Sequence, residues 1–200
     1  NFLSGDLSMR GLPDIDETFI GLRIKEMRTS YPQLAEFIPE LRSITQPNIR
    51  SLGQIKYTGS FTGYYNDFVT FGNLATSIGS LKTDLHLKFK PNQIPVYSGT
   101  LSTGNFNLGK FLEESQIGNV AFDGKLNGSG FTENDIKIAL DGIIQNIQFN
   151  NYTYTNIFAH GNVSKNLFSG SASIRDPNIM VDTLVGTINF SNKNPFLDRK

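Results

Sequence analysis

Strict alternation of apolar and polar side chains is the feature that most constrains the fold of this chain. Between Ser80 and Phe89 the odd positions carry Leu, Thr, Leu, Leu and Phe, whereas the even positions carry Ser, Lys, Asp, His and Lys. A period of two places successive side chains on opposite faces of a β-strand. This segment is therefore predicted to be a strand with one apolar face and one polar face.

The same alternation recurs along the chain, for example in residues 54–61, 119–126 and 135–140, and in residues 152–160 with Tyr152, Tyr154 and Phe158 on one face. Turn-forming residues such as Asn150-Asn151 separate the alternating segments, and short connections make neighbouring strands antiparallel. The pattern predicts ten or eleven strands, at residues 2–10, 17–28, 53–62, 65–75, 79–90, 95–105, 117–130, 135–149, 152–163, 166–174 and 178–191.

Several of these segments are about twice as long as the roughly 5–6 residues of a typical strand. Long strands in a simple meander favour an extended sheet over a compact sandwich. The sequence therefore predicts a mainly β fold: one antiparallel meander over residues 1–200 that forms a curved, U-shaped sheet or an open barrel.

One segment, residues 31–41, departs from the period of two. Ser30 is a candidate helix N-cap, Pro32 suits the first turn, and Pro39 limits the length. The apolar residues that follow at helical spacing are predicted to cover the apolar face of the sheet; they are Leu34, Phe37, Ile38 and Leu41. A shorter helical turn is predicted at residues 108–114.

Glycine recurs inside the predicted strands, two residues before an apolar residue. Because glycine weakens a strand, its repetition there indicates strong coiling, a bulge or close approach of two backbones. The pairs are Gly59/Phe61, Gly99/Leu101, Gly124/Leu126, Gly142/Ile144, Gly161/Val163 and Gly186/Ile188.

Composition and motifs give no support for catalysis or for nucleic-acid binding. Eighteen basic and 18 acidic side chains in 200 residues cancel, and the chain has no Cys. There is thus no general attraction to nucleic acid and no thiolate or Cys-ligated metal. His86 and His160 have no ligand-type spacing to another His, Asp or Glu. We expect a non-enzymatic protein without cofactor or metal.

The apolar strand faces have two interpretations. They could pack as an ordinary core, or they could line a groove for an apolar ligand. The candidate groove-lining residues are Ile55, Tyr57, Phe61, Leu81, Leu85, Leu87, Phe89, Val120, Phe122, Leu126, Ile136, Ile138 and Leu140.

A collinear series of short motifs covers nearly the whole chain. The motifs are Gly5–Ile15 (GDLSMRGLPDI), Thr29-Ser30 leading into the helix to Pro39, Gly59–Gly63 (GSFTG) with Asp67-Phe68, Leu74–Gly79 (LATSIG), Tyr97–Leu101 (YSGTL) with Phe106–Gly109 (FNLG), and Tyr152-Thr153-Tyr154 through Asp176-Pro177-Asn178. Together they resemble the large AsmA-like proteins of the TamB type (translocation and assembly module), in the form found in Bacteroidetes.

This resemblance implies an internal segment of a longer periplasmic protein, anchored in the inner membrane outside these residues. Proteins of this family resemble bridge-type lipid transfer proteins, in which a long taco-like β-sheet has an apolar interior. The implied partners are phospholipid acyl chains or unfolded outer-membrane β-strand clients. An outer-membrane barrel of the BamA/TamA type would bind through regions outside this segment. The family supplies no catalytic residues.

Two other functions stay open at this point. The chain could be a structural β-repeat or adhesin-type surface domain with a fully packed core. It could also be a carbohydrate-active β-domain if carboxylates converge in three dimensions. A continuous dry groove would favour transport, whereas a filled core would favour a scaffold.

Overall fold

The computed structural model describes residues 1–37, 41, 42, 45, 47–89, 93–131, 134–165 and 167–189, apart from the side chains of Phe37 and Ile188. Within these residues the chain is mainly β, with one twelve-stranded sheet and two short α-helices. The strands are β1 (Phe2–Arg10), β2 (Phe19–Ser30), β3 (Gln54–Tyr64), β4 (Asp67–Thr76), β5 (Gly79–Lys88), β6 (Val96–Gly104), β7 (Phe106–Asn107), β8 (Ile117–Ser129), β9 (Lys137–Phe149), β10 (Tyr152–Ser164), β11 (Leu167–Arg175) and β12 (Met180–Asn189).

The sheet is an antiparallel meander that does not close. Each strand pairs with its neighbour in the chain, except that the two-residue β7 lies off this path and β6 pairs directly with β8. The predicted meander is confirmed. Short turns explain it: Asn150 and Asn151 both have positive φ, 48° and 66°, which suits a two-residue hairpin connection.

The register divides the sheet into two faces, because residues paired directly across an antiparallel ladder lie on the same face. Leu81 on β5 pairs with Leu74 on β4, which pairs with Tyr57 on β3. We call the face with Leu81 the inner face and the face with Lys82 the outer face. The predicted alternation of β5 is thus confirmed by its pairing on both sides.

The alternation changes phase at several places that a strict period of two does not predict, including places on β2, β9, β10 and β12. On β2 the extra residue Lys25 separates Ile24 from Met27, and both of these pair with inner-face partners on β3. On β10 Tyr154 pairs with Ile147 and Ile157 pairs with Ile144, so both lie on the inner face. The prediction that Tyr154 shares a face with Phe158 is wrong, because Asn156 has a φ of 52° and shifts the phase.

Both helices lie at one end of the strands, which we call the capped rim. Helix α1 (Tyr31–Phe37) follows β2, and α2 (Leu108–Leu112) follows β7. A 3-10 turn (Ile49–Leu52) contacts both helices. The backbone N–H of Asn48 donates to Phe111 O at 2.7 Å, and that of Ser77 donates to Leu52 O at 2.9 Å. These bonds tie the cap to the sheet.

Helix α1 is described over Tyr31–Phe37, the first part of the predicted 31–41 helix. Residues 38–40 of that prediction lie outside the described residues. Leu34 and Leu41 are half-buried and Ala35 is 2% exposed. Ile38 and the side chain of Phe37 lie outside the described residues. The shorter predicted turn, at residues 108–114, is observed as α2, where the Asn107 side chain accepts from the Lys110 backbone N–H.

Candidate ligand-binding face

The inner face is apolar on every strand of the meander path. The strands pair continuously from β1 to β12, with register shifts between β1 and β2, β2 and β3, β8 and β9, and β11 and β12. Its large apolar side chains include Leu7 and Met9 on β1, Leu22 and Ile24 on β2, Ile55, Tyr57 and Phe61 on β3, Phe68 and Leu74 on β4, Leu81, Leu85 and Leu87 on β5, Tyr97 and Leu101 on β6, Val120, Phe122 and Leu126 on β8, Ile138, Leu140, Ile144 and Ile147 on β9, Ile157 and Val163 on β10, Phe168 and Ile174 on β11, and Leu184 on β12.

Side chains of the inner face shield one another within the layer. On β2–β11 its large apolar residues are buried or half-buried, whereas the outer-face Phe71 and Phe158 are 54% and 43% exposed. On the edge strand β1, where one lateral neighbour is missing, the inner-face Leu7 is 63% exposed. Lateral packing between neighbouring strands therefore accounts for most of the burial.

Paired glycines with an aromatic ring across them interrupt this face at regular places. Gly59 pairs with Gly72, Gly124 with Gly142, and Gly161 with Gly170. An added Cβ at either Gly124 or Gly142 would stand within 3 Å of the Phe122 ring. Tyr57 and Phe168 cover the other two pairs in the same way, each from two residues before a glycine. Five of the six glycines in the sequence repeat thus mark close backbone approach on the inner face, whereas an added Cβ at Gly186 on β12 would meet nothing within 4 Å.

A small core closes the inner face at the capped rim. Ile78, Phe106, Val120 and Phe122 are each no more than 9% exposed and pack against one another. Residues of α2 and the 3-10 turn complete the cluster, together with inner-face residues; the partly buried members are Leu52, Leu81, Leu101, Leu108, Phe111, Leu126, Ile144 and Ile147. Part of the inner face is therefore an ordinary packed core.

Thr103 joins the strands where β6 ends and β7 begins. Its hydroxyl donates to the Val120 carbonyl at 3.2 Å and accepts from the Phe122 backbone N–H at 2.8 Å. The residue is 9% exposed. A single hydroxyl thus satisfies two backbone groups that the interrupted ladder would leave unpaired.

The opposite end of the strands, which we call the open rim, carries aromatic pairs on the inner face. The ring centroids of Phe61 and Phe68 are 4.3 Å apart, and those of Phe68 and Phe89 are 6.1 Å apart. Tyr97 stacks on Phe131 at 5.1 Å, and its hydroxyl donates to Gly130 O. Burial of the Tyr97 phenol raises its pKa to about 12, so it is a neutral donor at physiological pH.

The outer face is mainly polar, although it carries exposed apolar side chains such as Phe71, Ile143 and Phe158. A compact ion cluster lies on it near the open rim. Asp67 on β4 lies 2.6 Å from His86 Nε2 and also bonds the Lys88 ammonium. The hydrogen bonds from Lys88 and then from His86 lower the pKa of the Asp67 carboxyl. The pair Asp141 and His160 is looser, at 3.7 Å.

A second polar network holds the β11–β12 turn at the capped rim. Asp176, 3% exposed, accepts from Tyr152 Oη and from the backbone N–H and hydroxyl of Thr155, both at 3.0 Å. The Asn178 backbone N–H adds a bond of 3.0 Å. These donors, with Tyr152 first, lower the pKa of Asp176. Four donors from β10 and the turn thus bond the two oxygens of this carboxylate, which gives Asp176 a structural role.

The structure brings the predicted groove-lining residues together on one face. Those that lie within strands are all on the inner face; they are Ile55, Tyr57, Phe61, Leu81, Leu85, Leu87, Val120, Phe122, Leu126, Ile138 and Leu140. Phe89 follows β5 and stacks on Phe68, and the half-buried Ile136 immediately precedes β9.

Sequence reasoning missed the inner-face residues of β2, β4, β6 and β11, including Leu22, Phe68, Tyr97 and Phe168. On β4 the inner-face positions alternate as Phe68, Thr70, Gly72 and Leu74, so threonine and glycine dilute the apolar period. The inner-face residues of β4 could have been predicted from its short turn to β5, because the turn fixes which residues of the two strands are paired.

Two other kinds of site are absent from the residues that the structure describes. No three His, Asp or Glu side chains there stand close enough to hold a metal ion. None of the described helices has the length and apolar character needed to cross a membrane.

Comparisons with known proteins add no identification. The chain matches no family model, no curated protein and no solved structure.

Proposed function

We propose that this chain is a non-enzymatic conduit or chaperone segment whose inner face shields apolar clients from water. The clients would be phospholipid acyl chains, or unfolded β-strands of outer-membrane proteins. The observation that carries the proposal is the inner face itself. It is apolar on every strand of the path, and between the capped rim and the open rim no second layer of described residues packs over it.

The dimensions of this face suit an extended client. Eleven strands in the path, at roughly 4.8 Å each, give a track about 50 Å long across the strands. An acyl chain on this track would replace water over half-buried side chains such as Leu85 and Ile138. At roughly 25 cal/mol for each Å² of apolar surface removed from water, even partial coverage would be favourable.

The resemblance to TamB-type AsmA-like proteins supports the same proposal and extends it. In that setting the chain would be part of a periplasmic protein anchored in the inner membrane. It would contribute to phospholipid movement between the two membranes, or to the assembly of outer-membrane proteins. A barrel of the BamA/TamA type would be a partner of other regions.

The second candidate is a structural β-domain of the repeat or adhesin type. The core around Phe106 and Phe122 at the capped rim favours this alternative, because those side chains pack against their neighbours and leave no room for a client. The two candidates differ in what contacts the inner face between the rims.

Site-specific photo-crosslinking in the full-length protein distinguishes them. A photoreactive phenylalanine at Ile138 would sample the inner face, and one at Lys137 would sample the outer face of the same strand. The conduit predicts lipid or protein adducts at Ile138 and at Leu85, identified by mass spectrometry, with none at Lys137 or Asp84. A folded protein that gives no adducts at the inner positions would support the scaffold.

A further inference from the structure

The outer face carries two adjoining shallow depressions next to the capped rim. Their volumes are about 500 Å³ and 450 Å³, and both are bordered by Ala75, Ser80 and Gly104. Four lysines surround them: Lys25, Lys56 and Lys82 around the first, and Lys110 beside the second. We call this combined feature the basic groove. It lies on the face opposite to the proposed client track.

The floor of the basic groove consists of small and polar groups. Thr58, Asn73 and Ser102 contribute hydroxyl and amide groups, while Ala75 and Gly104 leave space between the lysine stems. Tyr57 also borders the first depression, but its hydroxyl bonds Thr70 on the inner face at 2.9 Å. No aromatic ring is therefore offered on the groove floor for a base or sugar to stack on.

The basic groove has a local positive charge although the whole chain is neutral. Among the described residues no acidic side chain pairs with Lys56, Lys82 or Lys110. Glu26 also lines the first depression, but it forms an ion pair with Arg28 at 2.5 Å. Lys25 lies 3.4 Å from Asp6 in an exposed pair that costs little to break. Asp84 and Asp123 lie next to the lining residues Lys82 and Ser102, and their negative charge limits the groove on the side toward the open rim and β8.

We propose that the basic groove binds an extended anionic saccharide. The ammonium groups would meet its phosphate, sulfate or carboxylate groups, and the Ser, Thr and Asn side chains would hydrogen-bond its hydroxyls. The span from β2 to β6 is about 20 Å at roughly 4.8 Å per strand, which suits an oligosaccharide rather than a single sugar. Single-stranded nucleic acid is disfavoured, because its binding sites use aromatic stacking platforms.

A titration with a sulfated heparin-derived hexasaccharide tests this proposal, using calorimetry and amide NMR shifts at low salt. Binding is expected with shifts concentrated at Lys56, Lys82 and Ser102. The double variant Lys56→Glu/Lys82→Glu is expected to weaken binding at least tenfold, whereas Lys56→Arg/Lys82→Arg retains it. The matched control Lys137→Glu/Lys165→Glu makes the same change in net charge away from the groove and should bind normally.

Further arms of the titration separate the ligand classes. Neutral maltohexaose should not bind, and hexathymidylate should bind much more weakly than the sulfated sugar. Equal binding of hexathymidylate, equal loss in the Lys137/Lys165 control, or no binding of the sulfated sugar at millimolar concentration would overturn the proposal. Because Lys56 and Lys82 are exposed, the charge-reversed variant should fold; Lys56→Gln/Lys82→Gln provides a second, milder test. None of these outcomes depends on whether the inner face carries a client.

Discussion

Gly124 and Gly142 face each other directly across β8 and β9, so closely that a methyl group on Gly142 would stand 2.7 Å from the Cα of Gly124. The same methyl group would lie 2.4 Å from the Asp123 carbonyl oxygen. Backbone atoms on the facing strand cannot yield as a flexible side chain can. The lack of a Cβ at this pair is therefore a requirement of the strand packing.

Gly142→Ala should lower the free energy of unfolding by roughly 1–3 kcal/mol, the usual cost of forcing an extra carbon into a packed site. Urea denaturation measures this effect. Gly21→Ala is the matched control, because its added Cβ meets only the Ser8 hydroxyl, which can rotate away. Equal stability of the two variants would contradict the close-approach explanation.

Phe106→Ala should destabilise the fold by about 3–5 kcal/mol, since this side chain is 3% exposed in the core of the capped rim. Phe71→Ala removes the same ring from the outer face, where it is 54% exposed, and should change stability by less than about 1 kcal/mol. Thermal or urea unfolding of the pair makes the comparison. Similar losses in both would show that the outer face is also packed.

Thr103→Val should destabilise by roughly 1–3 kcal/mol, because it keeps the shape of the side chain but leaves the Val120 carbonyl and the Phe122 N–H without their bridging hydroxyl. Thr103→Ser retains the hydroxyl and should lose much less. Hydrogen exchange at the Phe122 amide gives a local readout. Unchanged protection in Thr103→Val would count against the bridge.

Asp176 should make the stability of the fold depend on pH in the acid range. Its pKa is lowered in the folded state, so its contribution is present above the unfolded pKa of about 3.9 and is lost as pH falls through the folded value. Asp176→Asn should therefore reduce stability at neutral pH and flatten the decline below about pH 4. In Tyr152→Phe, which removes the leading donor, the folded pKa should lie closer to the unfolded one, so the pH-dependent loss should be smaller and should be complete at a higher pH than in the wild type. Chemical denaturation from pH 2 to 7 tests both.

A charge on the inner face should block client transit without unfolding the full-length protein. An ionised side chain keeps its hydration, because burying it unpaired against an acyl chain costs far more than the local apolar contact supplies. Leu85→Asp and Ile138→Asp sample two strands of the client track away from the core of the capped rim. Outer-membrane integrity, abundance and protease resistance are the measurements.

Lys137→Glu, on the outer face of β9 beside Ile138, is the control and should be silent. Inner-face variants that all unfold would favour the scaffold. Variants that fold and still support outer-membrane integrity would exclude the conduit for this segment.

The period of two and the turn residues account for how much of this fold the sequence predicts. On β5 every inner position from Leu81 to Leu87 is apolar or Thr and every outer one is polar, so its two faces follow directly from the sequence. The turn at Asn150-Asn151 then fixes β9 against β10. A meander needs little more, because each pairing joins neighbours in the chain.

Features that arise from three-dimensional pairing could not be read from one segment. The extra residue Lys25 and the positive φ of Asn156 change the phase of their strands, and neither residue type is diagnostic of a bulge. At the capped rim β8 extends beyond the last residue of β6 that pairs with it. The two-residue β7 and the bridging role of Thr103 exist only because of this difference in length. Likewise the basic groove joins lysines that lie 26 and 28 residues apart in the chain, from Lys56 to Lys82 to Lys110.

The number of strands in the meander path also has a consequence for its two edges. Ten antiparallel steps separate β1 from β12, so these two strands run in the same direction. Joining them would place one slanted, parallel ladder in an otherwise perpendicular hydrogen-bond pattern, which is slightly less stable per residue. A single strand from elsewhere, added antiparallel to either edge, meets no such mismatch. Strand parity thus favours lengthening of the sheet over its closure on itself.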